Sequence, residues 1–328
     1  MNHLITTSGM PISISSTAEW EQKRQNILSA MQTIMGPVPG EEKRCALDVQ
    51  TLEEVDCGSY LRCLITYASE PQSRTPAYLL VPKQAIEQNK RCPAVICPHP
   101  TDNVVGHKVV VGLSSKANRS YASELAEQGF VTIAPSYPLL ANYQPDLKGL
   151  GYQSGTMKAI WDNIRAIDLL EALPYVAPGP IGTVGHSLGG HNSVYTAVFE
   201  PRIGVIVSSC GLDSYLDYMD GHITGWTSDR YMPRLKDYAQ RLHEIPFDFH
   251  DLIAALAPRP CLIAAPYGDS NFKWESVDRI AEAARVIYAL YHASDNLMVK
   301  HPDCAHDFPD EMRSLAGDLF KRHLVTTP

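Results

Sequence analysis

The segment Ile181-Gly182-Thr183-Val184-Gly185-His186-Ser187-Leu188-Gly189-Gly190 constrains this chain more than any other. A short apolar run ends in G-x-S-x-G and passes into a stretch of helical character. That order implies a strand, a sharp turn and a helix, with the hydroxyl of Ser187 lifted clear of a sheet. Glycines are needed on both sides because the turn brings strand and helix into backbone contact, where a Cβ would clash. With glycine and serine each near 7% of residues, three such fixed positions arise by accident about 0.1 times in ~300 windows. The surroundings must therefore decide between an exposed nucleophile and a glycine-rich turn with an ordinary surface serine.

Those surroundings alternate. Residues 1–15 read as irregular. Ser16 and Glu19 then form a capping box ahead of a helix with Trp20, Ile27, Met31 and Ile34 on one face, stopped at Gly36-Pro37. Ala46–Val55, Tyr60–Tyr67 and Ala77–Val81 read as strands of an antiparallel edge, separated by Gly58-Ser59 and by the polar stretch Ser69–Thr75. After Pro93, strands at Ala94–Cys97, Phe130–Ala134, Ile181–Gly185, Ile203–Ser208, Leu262–Ala265 and Leu297–Lys300 are interleaved with helices. The helices are expected over Asn118–Gln128, Thr156–Leu173, the segment after Ser187, Glu275–Leu290 and Glu311–His323. Such a rhythm implies right-handed crossovers and an α/β fold, a mostly parallel sheet with helices on both faces. Residues 211–258 break it and read as an insertion. The expected organisation is a helical extension over 1–44 and one domain over 45–328, carrying a short cap at about 211–258.

Composition narrows the classes of function. The 328 residues suffice for one large core. A formal net charge of −8, from 36 acidic and 28 basic residues, leaves no basic footprint for nucleic acid or an anionic membrane. No apolar run approaches the ~18 residues that cross a bilayer. The eight cysteines show no CxxC pairing and the N-terminus no basic-then-apolar leader, so the expectation is a cytoplasmic protein with reduced thiols. Twelve histidines include no HExxH and no spaced His/Cys set, so neither a metal nor a cofactor is expected. Oligomeric state is left open.

A serine hydroxyl becomes a nucleophile when a base takes its proton and a third group orients that base. In a strand–turn–helix context the chain order is serine, acid, histidine, the last two on loops at the carboxyl ends of later strands. Leu262–Ala265 runs into Pro266-Tyr267-Gly268-Asp269-Ser270, and Leu297–Lys300 runs into His301-Pro302-Asp303-Cys304-Ala305-His306. Ser187, Asp269 and His306 are therefore the expected catalytic residues. Asp213, after the strand Ile203–Ser208, is an alternative acid, and His301 an alternative base. His186 and His191 read as packing residues, and Asp303 and Asp307 as solvated or capping. Two N–H donors must meet the oxyanion of a tetrahedral intermediate. Leu188, at the positive end of its helix, supplies one. The loop Pro98-His99-Pro100-Thr101-Asp102 supplies the other. Pro100 has no N–H, which leaves Thr101.

On these residues the chain from about Pro76 onward resembles the α/β-hydrolase superfamily. G-H-S-L-G-G, C-P-H-P-T, A-P-R-P before the acid strand and P-D-C-A-H-D-F-P around the base carry the likeness. Within it the chain is similar to the dienelactone-hydrolase-like and acetyl-xylan-esterase-like branch, whose bacterial members cleave small acyl groups from carbohydrates. Pro100, where many relatives have glycine, departs from that pattern. The resemblance implies ester hydrolysis through an acyl-enzyme: Ser187 attacks, His306 relays the proton to the leaving alcohol, and Asp269 holds the imidazole. It points to short-chain acyl esters, acetylated carbohydrates among them. Substrate choice is expected from the insertion, where Tyr215, Tyr218, Met219, Trp226, Tyr231 and Met232 form either a satellite core or a stacking wall, with Arg230 and Arg234 beside them. His99, Trp226, Tyr231 and Arg230 are the expected substrate contacts. The other readings are a prolyl-oligopeptidase-like peptidase, for which the large propeller is missing, and a non-catalytic binding protein of the same fold.

Overall fold

The computed structural model describes residues 3–5 and 11–325. The elements in chain order are β1 (His3–Ile5), β2 (Pro11–Ser13), α1 (Thr17–Met35), β3 (Gln50–Asp56), β4 (Tyr60–Glu70), β5 (Ser73–Pro82), α2 (Lys83–Glu87), β6 (Ala94–Ile96), α3 (Tyr121–Glu127) and β7 (Val131–Pro135). Then follow α4 (Gly155–Ala172), β8 (Ile181–His186), α5 (Leu188–Phe199), β9 (Ile203–Ser209), α6 (Phe249–Ala254), β10 (Cys261–Ala264), α7 (Trp274–Leu290), β11 (Leu297–Lys300) and α8 (Asp310–Leu324). Nine strands make one sheet in the order β11-β10-β9-β8-β6-β7-β5-β4-β3. β3, β4 and β5 pair antiparallel, β5 joins β7 antiparallel, and every pairing from β7 to β11 is parallel.

The parallel strands are covered on both faces, and alternate residues divide between two cores, as a period of two demands. Ala94, Ile96, Ile206, Cys261 and Ile263 face α1, α4, α5, α6 and α7. Val95, Cys97, Val205, Val207, Leu262 and Ala264 face α3, α8 and Val109–Val111. The side chains of Trp20, Ile27, Met31 and Ile34 place α1 in the first of these cores, so the helical extension packs as part of the same body.

Some sequence expectations need correction. Residues 1–15 are not wholly irregular: β1 and β2 pair antiparallel, His3 opposite Ser13. At α1, Ser16 Oγ accepts from the Glu19 amide, but Glu19 reaches back to the amide of Ser15, one residue before the expected box partner. The insertion holds short 3-10 turns at 218–221, 223–226, 233–238 and 242–244 before α6. Ser69–Thr75 does not separate two strands; all but its two turn residues lie in the β4–β5 hairpin.

The polar residues of that hairpin enter the sheet because the core gives them partners. Lys158 of α4, fully buried, bridges Asp162 one turn on and Glu70 of β4 at 3.1 Å, and its ammonium also donates to Ser69 Oγ at 3.0 Å. Tyr143 donates to Asp162 Oδ2 at 2.8 Å and Tyr152 to Glu70 Oε1 at 3.0 Å. Lys43, from the segment before β3, lies 2.8 Å from Glu70 Oε2. A pattern that scores side chains one at a time reads Ser69-Glu70 as loop; the buried cation makes it strand. Removing one partner of a buried ion pair costs roughly 3–5 kcal/mol, because the remaining charge loses its compensation. Lys158→Met should therefore lower the melting temperature by about 10 °C at pH 7, read by circular dichroism. A shift of a degree or less would show the cluster to be energetically idle.

Candidate active site

The position of the site follows from the strand order. The chain leaves β6 toward β7 on one side, then crosses back to β8 on the other. Loops leaving the two adjacent carboxyl ends in opposite directions open a crevice. Pro98–Asp102 follows β6, and Ser187 follows β8. Ser187 has φ 55° and ψ −124°, a conformation costing about 1–3 kcal/mol that the surroundings must impose. They do so by contact. A Cβ on Gly185 would lie 2.1 Å from the carbonyl carbon of Gly189, and one on Gly189 2.2 Å from the Pro98 oxygen. The turn is pinned by Ser187 N donating to Ser209 O at 2.8 Å and His191 N donating to Ser187 O at 3.0 Å.

Opposite the turn, His306 Nδ1 lies 2.9 Å from both carboxylate oxygens of Asp269. Asp269 follows β10 in a tight loop, and its Oδ1 also accepts from the amides of Asn271 at 2.8 Å and Phe272 at 3.2 Å. Burial pushes this carboxyl up, but the imidazole and the two amides outweigh it and hold it below the usual carboxylate range. The Asp269 side chain is 1% exposed and His306 21%, so the carboxylate is sealed behind an imidazole that reaches solvent. His306 and Ser187 line one cavity of about 430 Å³.

The structure separates the competing groups. Asp213 is buried, accepts from the Lys273 amide at 3.1 Å, and has its other oxygen without a partner among the described residues. Burial raises its carboxyl to about 8. His301 is committed elsewhere, to the Ala265 carbonyl at 2.7 Å and Asp278 at 3.0 Å. The His186 ring lies 4.8 Å from that of His306, and burial keeps it neutral. His191 is fully buried between the rings of Tyr195, at 4.1 Å, and Trp226, at 4.4 Å, and burial holds it at about 3. Asp303 is exposed; Asp307, expected to be solvated or capping, pairs with Arg119 and accepts from Asn118.

One set of groups has the spacing of a metal site: donor atoms of Cys210, Asp269 and His306 lie within 4.8 Å of one another. Their chemistry is that of an acid–base pair over a thiol. Both Asp269 oxygens already face His306 Nδ1. Burial, and next the Asp269 charge, keep Cys210 protonated, and its Sγ sits 3.2 Å from the Asp307 carbonyl.

Thr101 and Leu188 line the cavity, as do Trp226 and Tyr231. Tyr231 and Thr101 hydroxyls are 3.1 Å apart, joining the cap to the loop after β6. Two expected substrate contacts are not where they were placed. His99 is buried, with Nδ1 2.8 Å from the Pro100 carbonyl and Nε2 accepting from the Tyr137 amide at 2.9 Å, so both ring nitrogens serve the loop. Arg230 does not line the cavity; its Nε donates to the Leu139 carbonyl. Lys116, Asn271 and Phe272 do line it and carry no sequence signal, because they lie in loops without motif; Arg119 also lines it, in the loop before α3 and not in the helix expected from Asn118. Tyr215 and Met232, by contrast, are core residues.

No protein-family model matches the chain. YtaP of Bacillus subtilis (strain 168), a protein named for a hydrolase, is 25% identical over 71% of this chain and 78% of its own length. A 4-O-methyl-glucuronoyl methylesterase of Wolfiporia cocos is 26% identical over 55% of this chain, and the match takes in 49% of that enzyme, so the chain spans about half its length. In three dimensions, a glucuronoyl esterase from Solibacter usitatus superposes with a TM-score of 0.77 over 99% of this chain and 97% of that one, at 18% identity. The chain has the α/β-hydrolase fold. Within that fold the carboxyl ends of β8, β10 and β11 carry Ser187, Asp269 and His306.

The two acidic candidates make opposite predictions. Asp269→Asn should lower kcat by about 10⁴, through loss of the oriented tautomer, whereas Asp213→Asn should leave kcat within a few-fold. Asp213 is raised in the folded protein, so the unfolded chain ionises first and stability falls as pH rises from ~4 towards about 8. Asp213→Asn should remove that loss, stabilising by about 1–3 kcal/mol at pH 8 and negligibly at pH 4, measured by urea denaturation at both pH values. A gain that does not depend on pH would contradict the assigned ionisation.

Proposed function

We propose that this protein is a serine carboxylic-ester hydrolase acting on carbohydrate esters through an acyl-enzyme. The observation that carries the reading is His306 hydrogen-bonded to buried Asp269 while sharing one cavity with Ser187 on its strained turn. Ser187 Oγ attacks the ester carbonyl as His306 Nε2 takes its proton. The amides of Leu188 and Thr101 receive the developing oxyanion, the first at the positive end of α5. His306 then protonates the leaving alcohol, and water, deprotonated by the same imidazole, releases the acid. Asp269 fixes the tautomer that leaves Nε2 free to accept.

A carbohydrate ester is supported by the names of the relatives and by the aromatic wall of Trp226 and Tyr231, which offers a flat apolar surface to a sugar ring. Of the sugar esters, those in which the sugar is itself the acid, as a uronate, stand first on the relatives' names, ahead of O-acetylated sugars. The eight free cysteines support a reducing compartment. No helix of the described residues is long and apolar enough to cross a membrane.

The test compares wild type with Ser187→Ala on 4-nitrophenyl acetate, methyl glucuronate and an O-acetylated xyloside. Ser187→Ala should lose about 10⁴ or more in kcat on every ester cleaved. The uronate ester should have the larger kcat/KM of the two sugar substrates. Turnover of a peptide substrate alone would favour the peptidase reading, and binding of sugars without any turnover the non-catalytic one.

A further inference from the structure

The cavity above Ser187 has two unlike walls. One is aromatic, formed by Tyr218, Trp226, Tyr231 and Phe272. The other is cationic. Lys116 and Arg119, from the loop ahead of α3, line the same cavity, and among the described residues no carboxylate does. In a chain with 36 acidic and 28 basic residues, two cations facing one cavity without an acid run against the composition.

Each cation is held by a carboxylate outside the lining. Lys116 Nζ is 2.8 Å from Asp102 Oδ2, and Asp102 Oδ1 accepts from the amides of Val104 at 2.9 Å and Val105 at 2.6 Å. Burial pushes the Asp102 carboxyl up, but the ammonium and the two amides prevail and hold it at about 2, so Asp102 stays a carboxylate. An ammonium has three protons and Asp102 takes one. The Lys116 side chain is 52% exposed, which leaves the others available. Arg119 is paired with Asp307 through Nη1 and donates from Nη2 to the His306 carbonyl at 3.2 Å. That bond puts Arg119 on the histidine side of the cavity, where the leaving alcohol takes its proton, while Lys116 is anchored to Asp102 in the loop after β6.

We infer that the substrate carries an anionic group on its leaving alcohol, a carboxylate, sulfate or phosphate, seated against Lys116 and Arg119 while the rest of the molecule lies on the aromatic wall. The inference rests on the esterase reading above and deepens it. Every ester yields a carboxylate at Ser187 on hydrolysis, so the discrimination has to be read on substrates and not from inhibition by product.

The probes are 4-acetoxybenzoate and 4-acetoxybenzenesulfonate against the neutral 4-acetoxybenzamide, each kcat/KM divided by the rate of the same ester with hydroxide. At low salt the anionic esters should be favoured by about tenfold, the worth of one charge-assisted hydrogen bond, and the preference should shrink in 0.5 M NaCl. A larger factor for the sulfonate than for the carboxylate, or the reverse, distinguishes the two anion classes. Lys116→Gln should collapse the ratio towards one and Lys116→Glu should carry it below one. Equal rates for charged and neutral esters, a ratio unmoved by both substitutions, or an equal fall on all three probes would overturn the inference; the last would assign Lys116 to the reacting carbonyl. Binding of 4-hydroxybenzoate against 4-hydroxybenzamide to Ser187→Ala, by titration calorimetry, reads the same selectivity without catalysis. Tighter binding of the anion with no turnover by wild type fails the esterase reading and keeps the anion site. Turnover without any charge preference does the opposite.

Discussion

The backbone contact between Gly185, Gly189 and Pro98 is the constraint on which the rest of the site depends. It forces Ser187 into a conformation that a side chain seldom takes and fixes the first turn of α5 against the loop after β6. The oxyanion donors proposed for this site, Leu188 and Thr101, lie on the two segments that meet there. A few tenths of an ångström gained at that contact would move the Ser187 hydroxyl and these two amides apart together. This is why small residues crowd one short stretch of an otherwise bulky core.

Around that fixed point the remaining parts are carried by longer reach. Asp269 and His306 sit at the ends of β10 and β11, whose parallel register, Cys261 opposite Leu297, sets how far the two loops extend. The cap has little regular structure and is held by rings. Trp226 rests on His191 of α5, Phe272 lies 6.2 Å from Trp226, and Phe272 in turn lies 5.9 Å from His306. The aromatic wall of the cavity is thus tied to α5, the helix after Ser187, at one end and to His306 at the other, so cap and site are positioned together.

Much of the fold is legible in the sequence because its cause is local. Strand and helix periods from Ala94 to Leu324 follow from burial on two faces, and their boundaries fall within a few residues of those expected. The errors come where a partner distant in the chain decides. Ser69-Glu70 looks like loop until Lys158, some ninety positions away, is packed against it. His99 looks like a substrate contact until the Tyr137 amide and the Pro100 carbonyl are seen to occupy its ring.

The sequence by itself determined the strained serine turn and the α/β layering, which rest on glycine sterics and on hydrophobic periods along the chain, and it offered Asp269 and His306 as candidates at the ends of later strands. Only the tertiary structure decided that Asp269, and not Asp213, meets His306; that Trp226 and Tyr231 line the cavity while Arg230 does not; and that Lys116 and Arg119 form its other wall. Two aspartates four or five residues beyond a strand are equivalent on paper. What separates them is which loop points across the crevice and which is buried beneath it, and that is settled by how the sheet twists and the loops pack.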